Sequence, residues 1–373
     1  ILTDTVSEKS DRENRMLAAF PDRSPFHEKF PKETDTYIND RIGFRDISLK
    51  IYGYLIKSGF IPAGTAINQN GKYIDGSRDW IFDNSIGNGI KYYTGQAGYK
   101  EDNLKSFADM VNETQGFCKE NGISFVLLIV PNKATVYGEN YSPYLVDIDD
   151  NGGGKIRNIN NSPVSNYDIL INYLKDNTDT RIINLKDVLE NAKDECLLYY
   201  KQDTHWTSCG AFFAYAAMEK PAGEKFDKFY FDEQKMKSRI LNDPLHNLAD
   251  VKGVQHSLYD FKDIYFDDNM TEIKHLGLYN NVKGGNNNGI GIFILHDSFM
   301  GAMYPYIWQS TERISARWRY YRTPLYYKDD ILELKPDILL WEIQERFILG
   351  LTDDKMQDDY IIGLNVKADN SIK

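Results

Sequence analysis

Two short stretches of this chain carry the residue types of acyl-transfer chemistry. The first is Asp203-Thr204-His205-Trp206-Thr207, with a carboxylate and an imidazole two residues apart. The second is His296-Asp297-Ser298-Phe299, with a serine just after the apolar run Ile292-Phe293-Ile294-Leu295. A serine nucleophile needs a base to take its proton and a carboxylate to orient that base. If Asp203-Thr204-His205 is extended, its two titratable side chains share a face; they can also meet through a turn. A carboxylate on one ring nitrogen fixes the tautomer and frees the other as a base. The alternative is a polar loop in which Asp203 caps the helix that follows. Ser298, between a buried strand and a helix with Gly301 near its start, is set to be exposed. Helix N–H groups, beginning with its own, would then face developing oxyanion charge. The alternative is a plain helix cap. The joint presence of both motifs, each behind an apolar run, favours catalysis.

The elements that must position these residues read as alternating helices and buried strands, an α/β pattern. Leu104, Phe107, Ala108, Val111 and Phe117 line one face of a helix over 99–121, with Gly122 as its cap. Ser124–Val130 is a continuous apolar run stopped by Pro131, which predicts a fully buried parallel strand. Pro131-Asn132-Lys133 then leaves its carboxyl end, where open α/β sheets place ligands. A helix over 165–177, a short strand Arg181–Leu185 and a helical turn Asp187–Ala192 follow. Leu197–Tyr200 leads into the first motif, and Thr207 or Ser208 caps a buried helix over 210–218. Gly289–Leu295 is the strand before Ser298, 299–309 a helix, Ile314–Tyr321 a strand and Pro336–Ile343 a last buried strand. Upstream, 1–25 read as a polar tether, 26–60 as amphipathic helices, and Thr65–Phe82 as a hairpin region with turns at Asn70-Gly71 and Asp75-Gly76. The domain division is therefore a tether and helical segment over 1–65 and a catalytic domain over 66–365, with 222–288 as an insertion or lid.

Composition narrows the partners. The 373 residues carry a net charge of −11 and are 42% hydrophobic. That is enough for a sizeable core and argues against nucleic acid, which needs clustered Lys and Arg. No stretch approaches 18 apolar residues. Cys118, Cys196 and Cys209 are odd in number and show no paired spacing, so they read as small buried thiols, with neither a disulfide framework nor a zinc site expected. His27, His246, His256 and His275 lack ligand spacing, and Asp147, Asp149 and Asp150 lack the glycine and closing glutamate of a calcium loop. No metal and no cofactor is expected. The 26 tyrosines suit carbohydrate surfaces as well as cores.

The chain resembles the alginate-acetyltransferase-type SGNH family, the AlgX/AlgJ and DHHW-like proteins. Asp203-Thr204-His205-Trp206-Thr207 and Asp297-Ser298-Phe299 carry the likeness. Glu13-Asn14-Arg15 with Phe20-Pro21, Asp40-Arg41-Ile42-Gly43-Phe44-Arg45, Pro131-Asn132-Lys133, and Pro336-Asp337 through Glu342 and Glu345-Arg346 extend it over nearly the whole chain. The resemblance implies a circularly permuted, flavodoxin-like SGNH hydrolase fold. It implies Ser298 as nucleophile, His205 as base and Asp203 as its orienter. It places Arg322, in Arg322-Thr323-Pro324, near the oxyanion site. Two positions depart from the alginate type: Phe347 stands where a tyrosine follows Glu-Arg, and His296 where a glycine precedes Asp-Ser. His296 could bind substrate, assist as a base or pack, and a structural or substrate-side role is expected. Trp206 either walls the pocket, stacks a sugar or packs in the core. Lys133 either meets a sugar acid or forms a surface salt bridge.

The resulting expectation is an O-acetyltransferase acting through an acetyl-serine on an exported or cell-surface polysaccharide. A carbohydrate acetylesterase with the same residues and a non-catalytic polysaccharide-binding assembly subunit are the alternatives. The family implies a membrane-bound O-acyltransferase as acetyl supplier and an extracytoplasmic location. The chain begins at Ile1 rather than Met, so an upstream signal peptide or anchor is expected.

Overall fold

The apolar runs behind the two motifs belong to one architecture, seen in a computed structural model. It describes residues 9–10, 15–16, 19, 30–41, 73–76, 79–84, 89–93, 98–141, 146–148, 154–156, 165–219, 236–241, 261–266, 279–285, 287–318 and 322–352. In chain order the strands are β1 (Lys9–Ser10), β2 (Arg15–Met16), β3 (Tyr73–Asp75), β4 (Ile81–Asp83), β5 (Ser124–Val130), β6 (Val146–Ile148), β7 (Gly154–Ile156), β8 (Met236–Leu241), β9 (Phe261–Phe266), β10 (Tyr279–Lys283), β11 (Gly291–His296), β12 (Arg313–Trp318) and β13 (Ile338–Gln344). The helices are α1 (Phe30–Arg41), α2 (Ile90–Tyr93), α3 (Glu101–Glu120), α4 (Lys133–Val136), α5 (Asn166–Asn177), α6 (Leu185–Asn191), α7 (Ser208–Glu219), α8 (Met300–Ser310), α9 (Lys328–Leu334) and α10 (Glu345–Thr352).

Five strands form the central sheet in the order β10-β12-β11-β13-β5, parallel except for the antiparallel edge strand β10. The strands are apolar on both sides because both sides are covered. Val126, Leu128 and Val130 of β5, Ile292 and Ile294 of β11, and Ile338 and Leu340 of β13 face one core, closed by α6, α7 and α8. The alternate residues Leu127, Ile129, Phe293, Leu295, Leu339, Trp341 and Ile343 face a second core under α3, α5, α9 and α10. The period of two along each strand thus builds a three-layer sandwich. Each such side chain contributes roughly 1.5–3 kcal/mol when fully buried. Helix α3 ends as its sequence predicts: Gly122 takes φ +68° and Ile123 N–H returns to the Cys118 carbonyl.

Some expectations change. Arg181–Leu185 is no strand: Ile182 makes a single parallel bridge to Leu127 on the outer edge of β5, and Leu185 already begins α6. The region 222–288 is not wholly an insertion, because Tyr279–Lys283 pairs with β12 as an edge of the sheet. Within that region β8 and β9 pair antiparallel, and most of the remainder lies outside the described residues, as do His27, His246, His256 and His275. Upstream, β3 and β4 form the expected hairpin, whose Asn70-Gly71 signal lies outside the described residues, as does all of 42–72. No helix among the described residues is long and apolar enough to cross a membrane.

At the carboxyl edge of β13, Glu345 ties the layers together. Its carboxylate accepts from Asn132 N–H at 2.8 Å, Thr135 O–H at 2.7 Å and Tyr92 O–H at 2.6 Å. Burial pushes this carboxyl up to about 7, against the downward pull of those donors. Its folded pKa therefore lies above the unfolded one, so the stability it contributes is present below about pH 4.5 and lost as pH rises through about 7. Glu345→Gln does not titrate. The unfolding free energy of wild type relative to this variant is expected to fall by on the order of 3 kcal/mol between pH 4.5 and 7.5. Urea denaturation across that range measures it, and a constant difference would exclude the buried titration.

Candidate active site

His205 is presented by a narrow hairpin. Tyr199 and Trp206 form an antiparallel bridge, Tyr200 N–H donates to the His205 carbonyl at 3.1 Å, and Thr207 N–H donates to the Leu198 carbonyl at 2.9 Å. Thr207 closes the loop and starts the next helix: its hydroxyl donates to the Leu197 carbonyl at 2.6 Å and accepts from Gly210 N–H at 3.2 Å. Glycine is required at 210, since a β-carbon there would collide with the Leu198 carbonyl oxygen.

The expectation of three free thiols fails here. Cys196 and Cys209 form a disulfide, with Cα atoms 6.6 Å apart, across the mouth of this hairpin. A separation of 13 residues shows no local motif; the bridging of Tyr199 with Trp206 is what brings their flanks together. Cys118 is the free thiol, buried and pushed up to about 12 by desolvation.

Within the hairpin, Asp203-Thr204-His205 is bent rather than extended. Asp203 Oδ1 accepts from His205 N–H at 2.8 Å and from His205 Nδ1–H at 2.7 Å. The other ring nitrogen, Nε2, accepts from Ser298 Oγ–H at 2.8 Å. Side-chain exposure rises along this chain, from 4% at Asp203 to 26% at His205 and an exposed Ser298. The carboxylate is shielded and the hydroxyl is open to a ligand. Beneath the imidazole lies Phe299, ring centroids 5.0 Å apart.

Ser298 sits two residues beyond β11, in a turn held by its neighbour. Asp297 Oδ1 accepts from Phe299 N–H and Oδ2 from Gln344 N–H, both at 3.0 Å, while Asp297 N–H donates to Glu342 Oε2 at 2.8 Å. Asp297, Glu342 and Gln344 are all buried. Buried polar groups of this kind must be mutually satisfied, and here that requirement fixes the serine's turn to β13.

Of the other residues singled out by sequence, none joins this hydrogen-bonded chain. Trp206 is a core residue: it is 1% exposed, its Nε1–H donates to the Phe299 carbonyl at 2.8 Å, and its ring meets Phe299 edge-on. His296 faces inward. Its Nδ1–H donates to the Asp297 carbonyl at 2.8 Å, Nε2 accepts from Tyr304 O–H at 2.7 Å, and Trp318 packs against the ring. Its ring is buried, 3% exposed, with both nitrogens hydrogen-bonded within the fold. Lys133 forms no surface salt bridge; it is 4% exposed, and its ammonium donates to main-chain carbonyls of the loop that carries His205. Arg322 lies four residues past the end of β12, its guanidinium carbon 3.5 Å from the Tyr326 ring centroid, with no hydrogen bond to Ser298. Phe347 packs on the second core, with Arg346 4.8 Å above its ring. No cluster of candidate metal ligands occurs among the described residues.

Residues 74–251 match the family model of the SGNH hydrolase-like domain of acetyltransferase AlgX. That stretch, just under half of the chain, is similar to an AlgX-type SGNH hydrolase-like domain. That match includes Asp203 and His205 and ends before Ser298, which the sheet geometry joins to them. Among solved structures, a DHHW family protein from Eubacterium siraeum aligns over 76% of this chain and 96% of its own, at 16% identity and a TM-score of 0.49. The O-acetyltransferase domain of Pseudomonas putida AlgJ aligns over 77% and 98%, at 16% identity and a TM-score of 0.48. Bacillus cereus PatB1 aligns over 75% and 97%, at 16% identity and a TM-score of 0.48. No curated protein matches the chain.

The serine turn is held through Asp297, and that is testable. Asp297→Ala leaves two buried N–H groups without their acceptor. It is expected to lower unfolding free energy by on the order of 3 kcal/mol in urea and to slow Ser298 labelling by a fluorophosphonate. Unchanged stability would show that the turn is held by other contacts.

Proposed function

We propose that this protein is an O-acetyltransferase that carries acetyl groups through Ser298 to hydroxyls of an exported or cell-surface polysaccharide. The observation that carries this reading is the unbroken hydrogen-bonded chain from Asp203 through His205 to the exposed Ser298 Oγ. The match to an acetyltransferase domain supports the acyl group.

The steps follow from the proton positions. Nδ1–H is held by Asp203, so Nε2 is the basic nitrogen. His205 Nε2 takes the Oγ proton as Ser298 Oγ attacks the acetyl carbonyl carbon. The tetrahedral oxyanion lies at the N-terminus of α8, where the Ser298 N–H and the helix dipole favour negative charge. The oxyanion collapses, the bond to the donor oxygen breaks, and His205 returns the proton to that leaving group. An acceptor hydroxyl then binds, gives its proton to Nε2 and attacks the acetyl-serine. Its departure as an acetyl ester regenerates the Ser298 hydroxyl with the same proton. Asp203 stabilises the imidazolium at each stage. Arg322 is assigned to the oxyanion or substrate side, on the strength of the family pattern and its place beyond β12.

The acetyl donor in this reading is a membrane-bound O-acyltransferase, and the location is extracytoplasmic. The Cys196–Cys209 disulfide supports the location, since such bonds persist in oxidising compartments. Denatured, unreduced protein purified from its own cell is expected to titrate one thiol, Cys118, and three after reduction. Three thiols before reduction would count against an oxidising compartment.

The second reading is a carbohydrate acetylesterase, in which water takes the place of the acceptor at the exposed Ser298. A chromogenic acetyl ester, supplied with and without oligosaccharide acceptors, separates the two. Acetylated acceptor supports transfer, and acetate alone supports hydrolysis. Ser298→Ala is expected to lower turnover by on the order of 10⁴ or more while leaving the fold intact. No turnover by wild type, with Ser298→Ala behaving like it in the same assays, would sink both enzymatic readings and leave a non-catalytic polysaccharide-binding subunit.

A further inference from the structure

Lys133 spends a buried charge entirely on the main chain. Its Nζ donates toward four carbonyl oxygens: Ile81 at 2.6 Å, Asp203 at 2.7 Å, Lys201 at 3.0 Å and Tyr200 at 3.1 Å. Three of the four belong to the loop that presents His205. An ammonium has three donors and no acceptor, so it can serve a ring of carbonyls much as a bound cation would. The rings of Phe82 and Trp80 lie 5.2 Å and 5.7 Å from it. Burial pulls this ammonium down to about 7, opposed by Asp203 and Asp83.

The contacts of Lys133 close a circuit. Lys133 stands three residues past Val130, the end of β5, which is in register with Gln344 of β13. Gln344 N–H donates to Asp297 Oδ2, and Asp297 precedes the serine. On the other side, Lys133 holds the carbonyl of Asp203, whose carboxylate holds His205. The strand edge that fixes the nucleophile is thus the same edge that, through one side chain, fixes the base.

We propose that Lys133 is the positioning residue of the Asp203-His205-Ser298 set: its ammonium, ringed by the carbonyls of Tyr200, Lys201, Asp203 and Ile81, locks the base loop to the serine-bearing sheet edge and so sets the alignment of His205 with Ser298. The inference rests on reading Ser298 as the nucleophile. Lys133 makes no hydrogen bond to either His205 or Ser298, so it governs alignment and not binding. A misplacement of about 1 Å in such a pair is worth on the order of 100-fold in rate.

The nucleophile is checked separately. A fluorophosphonate that labels wild type and not Ser298→Ala establishes it, and no labelling of wild type defeats the functional reading rather than this one. Lys133→Met keeps the length of the side chain and removes its donors. With a wild-type circular dichroism spectrum, it is expected to show labelling and kcat on an acetyl ester lowered about 100-fold, KM little changed, and a displaced pH midpoint of labelling. Lys133→Ala leaves room for an ammonium, so ethylammonium is expected to restore part of its labelling rate and to do nothing for Lys133→Met. A folded Lys133→Met with wild-type rate and pH midpoint overturns the proposal, as does a change in KM alone. If Lys133→Met does not fold, Lys133→Ala in ethylammonium decides: recovery of fold together with labelling supports the proposal. Recovery of fold without labelling, or no response to the amine, overturns it.

Discussion

A single oxygen, Asp203 Oδ1, accepts from both the backbone N–H and the ring Nδ1–H of His205. That double acceptance is possible because Asp203-Thr204-His205 is bent. It pins the imidazole at both its root and its ring, and so points Nε2 outward at Ser298. In an extended strand the two side chains would share a face but the backbone N–H would belong to a ladder. The bend has a requirement of its own: the carbonyls of Tyr200, Lys201 and Asp203 have no strand partner and must be satisfied elsewhere. Ile81 N–H takes the Lys201 carbonyl, and Lys133 reaches those of Tyr200, Lys201 and Asp203. The hairpin β3–β4, the loop after β5 and the base loop are thereby one polar unit.

How much of this was legible in sequence follows from the range of each interaction. The runs Ser124–Val130, Ile292–Leu295 and Ile338–Trp341 announced buried strands, because a strand covered on both faces cannot hide its composition. Gly122 announced the end of α3, and Thr207 the start of α7, because caps are local. The Asp203, His205 and Ser298 types were legible as chemistry, and the apolar runs beside them gave their places. What stayed hidden was the polar layer beneath. Asp297 meets Gln344 across 47 residues, Glu345 meets Asn132 across 213, and Lys133 meets Asp203 across 70. Nothing periodic marks a buried polar residue whose partner is that distant. The Cys196–Cys209 pair escaped for the same reason at shorter range, since only the hairpin makes the two flanks neighbours. Residue type even misled at Lys133, which composition rules place on surfaces.

The inward turn of His296 has a related explanation. Strand β11 ends with that residue, whose ring is taken up by the Asp297 carbonyl and Tyr304 O–H. The same carbonyl also receives Met300 N–H at the start of α8. His296 therefore helps to tie the serine's turn from the side opposite to Phe299, where a glycine would leave the turn to its backbone alone. The imidazole that does face Ser298 is separated from it in the chain by 93 residues.

The location of the serine follows from the order of the strands. From β11 the chain crosses by α8 to β12 on one side; from β12 it crosses by α9 to β13 on the other side of β11. The two crossing helices lie on opposite faces, α8 against the core of Ile292 and Ile294 and α9 against that of Phe293 and Leu295. Right-handed crossovers that leave in opposite directions must do so on opposite faces. They part above the carboxyl end of the strand between them, and a parallel sheet has its crevice there. That strand is β11, and the residue two places beyond it is Ser298. The base loop packs on the face of α8, through Tyr199 and Trp206, and so enters the crevice from the side where the serine's helix begins. Ser298 at the switch point and His205 brought over one lip of the crevice are thus both set by the order of the strands.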